Sequence, residues 1–358
     1  MAEDETIPNN KWALEIPEDL GKPTTKQMIW ERKLLDFSLR NNLLNTRLGR
    51  RVVPFISFGI EHLEDHLQNG EDYHITPSPC AKLEPNDDGM YNSRQQAADY
   101  EDYVSDMINS NKIASYLTET ELLNALKYIY RTARTSFEEN GANSLFLALG
   151  MLRWYENSKS EQPRYAPILL MPVDIIRRSG TNYIIRKRDE DVILNITLVE
   201  LLKQSFKISL DSLKDLPKDE GGVDVKRVFD VVRNAIAEQK KWEVIEESML
   251  GLFSFNKFVM WNDIHTNASK LKDNVIVASL IEQRDKQDID IEGVDARNID
   301  KESAPMDFAI PLDVDSSQME AVVESGRGRS FILHGPPGTG KSQTITNMIA
   351  NALYQGKR

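Results

Sequence analysis

Residues 331–342 read FILHGPPGTGKS. Positions 335–342 satisfy the pattern G-x-x-x-x-G-K-S/T, in which a glycine-rich loop wraps a polyphosphate. The apolar residues 330–333 before the loop predict a strand, and residues 342–354 after it predict an amphipathic helix. A strand, a glycine-rich loop and a helix in this order are the context that phosphate binding requires. The pattern therefore predicts a nucleotide-binding α/β unit at this end of the chain.

The composition of the loop follows from the chemistry of phosphate binding. Glycine lets backbone N–H groups approach the phosphates closely, and the helix N-terminus adds unpaired donors. Lys341 is the predicted catalytic residue, with its charge between the β- and γ-phosphates, and the Ser342 hydroxyl is the predicted Mg²⁺ ligand. The predicted cofactors are ATP and Mg²⁺, and the predicted nucleotide-contacting residues are Gln318, Gly335, Pro336, Pro337, Gly338, Thr339, Gly340, Lys341, Ser342 and Gln343.

A glutamine upstream of the loop is the second feature of this region. Gln318 precedes Lys341 by 23 positions. Its amide can accept a hydrogen bond from the adenine amino group and donate one to a ring nitrogen. The segment 315–318 is also a capping box, which starts a helix. Beside a phosphate loop we favour adenine recognition, and the helix cap is the alternative. His334 is interpreted as a packed residue at the end of the strand rather than as a catalytic base.

Charge is distributed unevenly along the chain. The net charge of the 358 residues is −12, which by itself argues against a nucleic-acid partner. The acidic excess lies in residues 1–20, 84–107 and 281–307, interpreted as a tail, a loop and an interdomain linker. The rest of the chain is slightly basic and contains two cationic clusters, at residues 26–51 and 174–188. They are the predicted contacts to a nucleic-acid backbone, and a solvated basic face is the alternative.

Other compositional features bear on the compartment of the protein. Cys80 is the only cysteine, so no internal disulfide can form and a reducing compartment is expected. The N-terminus lacks the basic and apolar regions of a signal peptide, and the apolar stretch 144–155 is too short to span a bilayer. We predict a cytoplasmic location and no membrane partner. His62 and His66 have the spacing of a metal-binding pair, but without an evident third ligand a solvated helix face is preferred.

Hydrophobic periodicity predicts the remaining elements. The three asparagines between 41 and 45 are interpreted as a helix end held by side-chain to backbone hydrogen bonds rather than as a ligand site. Strands are predicted at 167–176, 183–188 and 242–255, with a hairpin turn at 178–182. Helices are predicted from residue 24 or 25 to about 45, and at 116–137, 145–155, 196–206, 223–240, 255–261 and 271–283.

These elements predict an α/β fold class with a mixed α+β N-terminal region. The predicted organisation is a disordered acidic arm at 1–22, a mainly helical region at 23–140 with a loop near 70–95, an α+β part of the same domain at 141–283, an acidic linker at 284–310 and a nucleotide-binding unit at 311–358.

The C-terminal segment also resembles a known family. Residues 312–358 resemble the opening of the first motor domain of superfamily I helicases, in the Upf/Dna2-like branch. In that family Gln318 would be the Q-motif glutamine and 335–342 the nucleotide loop. The resemblance implies the start of a RecA-like P-loop NTPase domain and an ATP-dependent helicase or translocase that acts on nucleic acid, with DNA expected rather than RNA.

The N-terminal region resembles an uncharacterised domain of large bacterial superfamily I helicases. The segments that carry this resemblance are 30–45, 144–154, 166–173 and 249–258. Such proteins often end in a Vsr-like or other restriction-endonuclease-like domain, and they are associated with DNA repair and phage defence. The resemblance assigns no catalytic residue to the N-terminal region.

The sequence departs from a complete motor in one respect. After the loop and its helix, no strand follows to supply a carboxylate for Mg²⁺, and there is no second motor domain. We therefore expect a fragment of a longer protein, inactive alone. Two alternatives stay open: an AAA-type remodelling ATPase, which the spacing of Gln318 disfavours, and a nucleic-acid-binding or protein-binding regulatory module with an inactive ATPase stub.

Overall fold

A computed structural model gives the three-dimensional structure. It describes residues 26–79, 83–157, 159–254, 260–261, 263–264, 266–271, 273–282, 298–299, 301, 304–336 and 338–357. The predicted acidic arm 1–22, Cys80, Pro337 and most of the predicted linker 284–310 lie outside these residues. The chain divides into two compact units, residues 1–283 and residues 284–358, which are described separately.

The first unit is built on one sheet flanked by helices, and the mixed fold class is confirmed. Its strands are β1 Val52–Phe55, β2 Tyr73–Thr76, β3 Lys112–Ala114, β4 Leu145–Trp154, β5 Arg164–Arg177, β6 Tyr183–Lys187, β7 Ile193–Leu194 and β8 Glu243–Leu252. Its helices are α1 Lys26–Leu35, α2 Ile60–Gln68, α3 Ser93–Gln96, α4 Glu101–Asn109, α5 Glu119–Asn140, α6 Ile196–Phe206, α7 Val225–Ala235, α8 Ala268–Leu271 and α9 Val275–Glu282.

The sheet has the strand order β1-β8-β4-β5-β6-β2-β3, with β7 paired to β5. Only the β2–β3 pair is parallel among these described strands. The predicted hairpin is confirmed, since residues 173–177 of β5 pair with residues 183–187 of β6. The short strands β1, β2 and β3 come from the region predicted to be mainly helical, and β2 lies inside the stretch predicted as a loop. Strands far apart in sequence therefore complete the sheet.

Strand β4 replaces a predicted helix, and this prediction is wrong. Residues 145–155 are apolar apart from Arg153, because β4 lies between β5 and β8 and both of its faces are buried. A two-sided buried strand cannot be distinguished from a buried helix by periodicity alone. The register with β8 shifts at Gly150, which has φ 72° and lies against Phe229 of α7. This β-bulge also hides the alternation that would otherwise mark a strand.

The first helix ends earlier than predicted. It stops at Leu35, and Asp36 adopts a left-handed backbone with φ 46°. Phe37 and Leu44 therefore lie in an irregular turn rather than on one helix face, although both are buried in the core. The Ser38 hydroxyl donates to the Asp36 carboxylate at 2.7 Å, and side-chain bonds of this kind compete with helix continuation. The segment 36–47, here called the 36–47 turn, contacts β4, β5 and β8 instead.

Two other helices show how capping sets their limits. Helix α5 confirms its prediction: Thr118 and Glu121 form a capping box, and Gly141 ends the helix in a left-handed conformation. Helix α7 is shorter than predicted. Asp224 caps its start, and Ala235 is its last residue. The apolar residues of these helices join the sheet in a single large core.

The second unit contains α10 (Ser316–Gly326) and α11 (Lys341–Tyr354), which pack against each other. The helix after the loop is thus confirmed, but residues 330–333 form no strand, and Ile332 is 92% exposed. A strand needs a hydrogen-bonded neighbour, and the described part of this unit contains no other strand. For the same reason the face of α11 expected to meet a sheet is open, with Ile349 57% exposed.

A polar contact holds α11 instead. The Asn347 side chain is buried and bonds both the N–H and the C=O of Leu312, each at 3.0 Å. Tyr354 donates to the carbonyl of Met306 at 2.9 Å. These contacts tie the segment before α10 to α11.

Candidate functional site

The residues of the predicted phosphate loop lie at the start of α11. Gly338 and Gly340 have φ 88° and 72°, a left-handed conformation that favours glycine. Gly340 is the N-cap of the helix, so the turn leads directly into Lys341. A Cβ at Gly335 would lie 2.5 Å from the Thr339 hydroxyl, and one at Gly340 would collide with the Gln318 amide. Any side chain at these two positions would therefore distort the loop.

Lys341 folds back over the loop. Its ammonium group donates to the carbonyl of Gly335 and, at 2.9 Å, to that of Pro336. The Thr339 hydroxyl also donates to Pro336, at 2.8 Å. The structure thus places a positive charge across the start of the loop and beside the helix N-terminus, where a phosphate would be attracted.

The remaining loop residues differ in position. Ser342 and Gln343 are exposed on the first turn of α11, so the Ser342 hydroxyl is accessible. Pro337 lies outside the described residues. His334 is exposed, so the prediction of a packed residue at a strand end is wrong. The missing strand explains this, because there is no sheet against which His334 could pack.

Gln318 bridges the helix cap and the loop. Its side-chain oxygen accepts from the Asp315 N–H at 3.2 Å, and Asp315 accepts from the Gln318 N–H at 2.8 Å. This second hydrogen bond lowers the pKa of Asp315. The Gln318 amide nitrogen donates to the carbonyl of Thr339 at 3.2 Å. The capping box is confirmed, and the residue also lies directly against the loop, so the two interpretations do not exclude each other.

The cationic cluster 174–188 is largely neutralised within the unit. Arg186 donates to both carboxylate oxygens of Asp72, at 2.7 and 2.6 Å. Arg188 pairs with Asp174 at 2.6 Å and with Glu190 at 3.3 Å. These pairs connect strands and turns of the sheet. They reduce the positive potential that this cluster would present to a phosphate backbone.

The cationic cluster 26–51 has a different environment, because it borders a cavity of about 880 Å³. Arg40, Arg47 and Arg51 line this cavity, which lies among the 36–47 turn, α5 and the end of β8. Arg50 lies outside it, 4.7 Å from the ring centre of Tyr128. A hydrogen bond from Arg51 lowers the pKa of the Tyr128 hydroxyl, which indicates positive potential here.

The 36–47 turn is anchored to the sheet by its backbone. Asn195 donates to the carbonyl of Leu43 at 2.6 Å, and the Trp154 indole donates to that of Leu44 at 2.8 Å. The asparagines of the turn bond backbone carbonyls as predicted: Asn41 that of Asp36, Asn42 that of Leu252 and Asn45 that of Leu39. These bonds hold the turn in place, so its arginines have a defined position at the cavity.

A buried glutamate is a feature that the sequence reasoning missed. Glu247 on β8 is 4% exposed. It accepts from the N–H of Ser93, from the Ser93 hydroxyl at 2.9 Å and from the Tyr116 hydroxyl at 3.3 Å. Burial raises the pKa of Glu247 to about 8. The one sequence signal is an acid at an inward position of a strand that is otherwise apolar, which periodicity alone does not mark as special.

His66, one of the two histidines with metal-binding spacing, has partners within the protein. His66 bonds the Tyr73 hydroxyl at 2.7 Å and lies 3.7 Å from Glu71. In the described part of the chain, no group of three or more His, Cys, Asp or Glu side chains could hold a metal ion. No helix among the described residues is both long and apolar enough to cross a membrane.

Comparison with known proteins adds two similarities. Residues 33–202 match a family described as "Protein of unknown function (DUF4011)". An uncharacterised ATP-dependent helicase of Mycoplasma genitalium is 25% identical over 258 residues, which are 66% of this chain and 22% of that protein. No solved structure matches the chain. The chain therefore spans about a fifth of a helicase to which it is similar, and the 36–47 turn lies in the part that matches the family of unknown function.

Proposed function

We propose that this chain is part of an ATP-dependent helicase or translocase, and that it binds ATP and Mg²⁺ through residues 335–342. The observation that carries the proposal is the Lys341 ammonium group, which folds back from the start of α11 to the carbonyls of Gly335 and Pro336 at the beginning of the loop. The similarity to an ATP-dependent helicase supports the same function.

The residues present suit a nucleoside triphosphate. Glycines occupy the two positions, Gly335 and Gly340, where a Cβ would collide with loop or cap atoms. The N-terminus of α11 supplies backbone N–H donors that favour phosphate. Ser342 is accessible and would hold Mg²⁺, which neutralises charge on the β- and γ-phosphates when bound. Lys341 would turn from the loop carbonyls to the phosphate oxygens.

The contact between Gln318 and the loop supports superfamily I over the AAA-type alternative. Its amide nitrogen is already within 3.2 Å of the Thr339 carbonyl, beside the loop that would hold the triphosphate. We further propose DNA as the nucleic acid, a role in DNA repair or phage defence, and a cytoplasmic location, as the resemblance implies.

ATP turnover by the full-length protein tests this proposal. Lys341→Ala should reduce nucleic-acid-stimulated ATP hydrolysis to background, because the phosphates lose their point charge. Lys127→Ala is the matched control, since Lys127 is exposed on α5. Normal turnover in Lys341→Ala would overturn the motor assignment, and so would an equal loss in both variants.

A second candidate function is nucleic-acid binding by the first unit without a contribution from the motor. One observation favours it: Arg40, Arg47 and Arg51 line a single cavity. Binding of single-stranded DNA by the chain in the absence of ATP is expected, and it should weaken as salt rises, because counterions compete for the same phosphates. No binding at low ionic strength would exclude this candidate.

A further inference from the structure

The cavity at the 36–47 turn has the size and composition of a ligand site. Its volume of about 880 Å³ lies within the range typical of small-molecule sites. Leu35, Leu39 and Phe253 are apolar, buried residues of its lining. Arg40, Arg47 and Arg51 line the same cavity. The cavity therefore combines an apolar surface with cationic groups, a composition that is typical of a ligand site.

The charge of the lining is positive. Among the described residues that line the cavity, Arg40, Arg47 and Arg51 are cationic and Asp36 is the one acid. Asp36 accepts from Ser38 at 2.7 Å. The lowered pKa of Tyr128, which also lines the cavity, reports the same positive potential. A negatively charged ligand would be attracted to this site.

Several polar groups of the lining have unused hydrogen-bonding capacity. The Ser144 hydroxyl is buried and has no hydrogen-bond partner. Buried polar atoms are almost always paired, so an orphan at a cavity suggests a partner supplied by a ligand or water. Asn42 and Asn45 donate through their amide nitrogens to backbone carbonyls, and among the described residues no donor reaches their oxygens.

Helix α5 contributes a polar stripe to the same cavity. Tyr128, Thr132 and Ser136 all belong to the lining and are spaced four residues apart, which places them on one helix face. Together with the asparagines they offer both donors and acceptors. The site therefore suits a ligand that is anionic at one end and carries hydrogen-bonding groups on a flat, partly apolar body.

We propose that this cavity binds a nucleotide unit, with its phosphate at Arg40 and Arg51 and its base against Leu39 and Phe253. A phosphate alone would leave most of the cavity and the buried Ser144 hydroxyl unused. The unit is either a free nucleotide or the terminal nucleotide of a single strand. This inference rests on the proposed function only in naming nucleic acid as a source, because the site lies in the first unit and needs no ATP hydrolysis.

Direct binding by the 358-residue chain tests the proposal with two probes. One is AMP, measured by equilibrium dialysis, and the other is 5′-phosphorylated, 3′-fluorescein oligo-dT12, measured by anisotropy at low ionic strength. All variants carry Lys341→Ala, so the phosphate loop contributes little to binding. If AMP binds and fails to displace the oligonucleotide, the source is a free nucleotide; if AMP displaces it, the source is a strand end.

Charge reversal inside the cavity gives the decisive comparison. Ser136→Glu should weaken binding at least about tenfold, because it puts a carboxylate into the cavity lining and lowers the positive potential that attracts the phosphate; tenfold corresponds to about 1.4 kcal/mol. Thr120→Glu adds the same charge to α5 about 24 Å away, at 1.5 Å per residue, and should bind as the parent does. Circular dichroism would show that both variants fold.

An arginine pair provides an independent test should Ser136→Glu fail to fold. Arg51→Ala should weaken binding about tenfold, whereas Arg227→Ala, an exposed arginine of α7, should not. The proposal is overturned if neither probe binds, or if the folded cavity variants bind as tightly as their controls. Loss of binding in these variants, together with normal ATP turnover, measured without nucleic acid, of the full-length protein that carries the same cavity substitution but retains Lys341, would separate this site from the motor.

Discussion

Replacing Glu247 with glutamine is expected to stabilise the first unit at neutral and mildly basic pH. The carboxyl group is 4% exposed and contacts the Ser93 N–H and the Ser93 and Tyr116 hydroxyls. Burial raises its pKa from 4.5 to about 8, so the folded protein keeps it protonated at pH 7. A glutamine amide has the shape of the protonated acid, and it retains an acceptor for Ser93 and gains donors for the hydroxyls.

The size of the expected change in the free energy of unfolding follows from the difference between the pKa of Glu247 in the folded and in the unfolded protein. A group whose folded pKa is raised contributes stability that is fully present below the unfolded pKa, here 4.5, and is lost as pH rises to about 8. Between pH 4.5 and pH 8, the free energy of unfolding of the wild type falls by about 1.4 kcal/mol for each pH unit. The total loss reaches about 3 kcal/mol at pH 7. Glutamine has no proton to lose. The stability difference between variant and wild type should therefore grow from about 1 kcal/mol at pH 5 to about 3 kcal/mol at pH 7.

Urea unfolding at pH 5, 6, 7 and 8, followed by tryptophan fluorescence, measures this difference. Trp154 is fully buried in the same unit and reports its unfolding. Burial also raises the pKa of Glu64 to about 7, so the comparison must be between variants rather than of the wild-type profile alone. Glu246→Gln is the control, because Glu246 pairs with Arg94 at the surface. Parallel pH profiles for wild type and Glu247→Gln would refute the reasoning.

Two further substitutions test the fold and the loop. Gly150→Ala should destabilise the first unit by about 3 kcal/mol or more in urea titrations, because a Cβ at φ 72° would overlap Phe229. Gly180→Ala is the control and should change the free energy of unfolding little, because a Cβ there meets no atom within 4 Å. Equal effects would contradict the bulge assignment. Gln318→Glu should keep the capping box with Asp315, because the glutamate oxygen can still accept from the Asp315 N–H. It should reduce the preference of the full-length protein for ATP over GTP, measured as a ratio of kcat/KM values. An unchanged ratio would refute adenine recognition.

Elements with local signals were predictable. Helix α5 begins at a capping box and ends at Gly141, and the hairpin of β5 and β6 turns at residues 178–182. The start of α11 follows from the glycine pattern of the loop, whose residues are contiguous in sequence. Each of these structures is decided within a few residues, so composition and spacing were enough to place them.

Elements defined by distant neighbours were not predictable. Residues 145–154 form a strand because β8, about a hundred positions later, pairs with one edge and buries it. Residues 330–333 form no strand because the described second unit offers none to pair with. In both cases the same kind of apolar run takes a different structure, since hydrogen-bonding partners rather than local preference decide between the two outcomes.

The amino-acid sequence alone determined the phosphate loop, the capping of α5 and the presence of two cationic clusters. The tertiary structure decided where each cluster lies, because Asp72 is brought to Arg186 by strand pairing whereas Arg40 and Arg51 are brought to a cavity. It also buries Glu247, and this burial raises the pKa of its carboxyl group. Charge and protonation depend on which groups lie within a few ångströms and on how much water is excluded, and both are set by contacts between residues that are far apart along the chain.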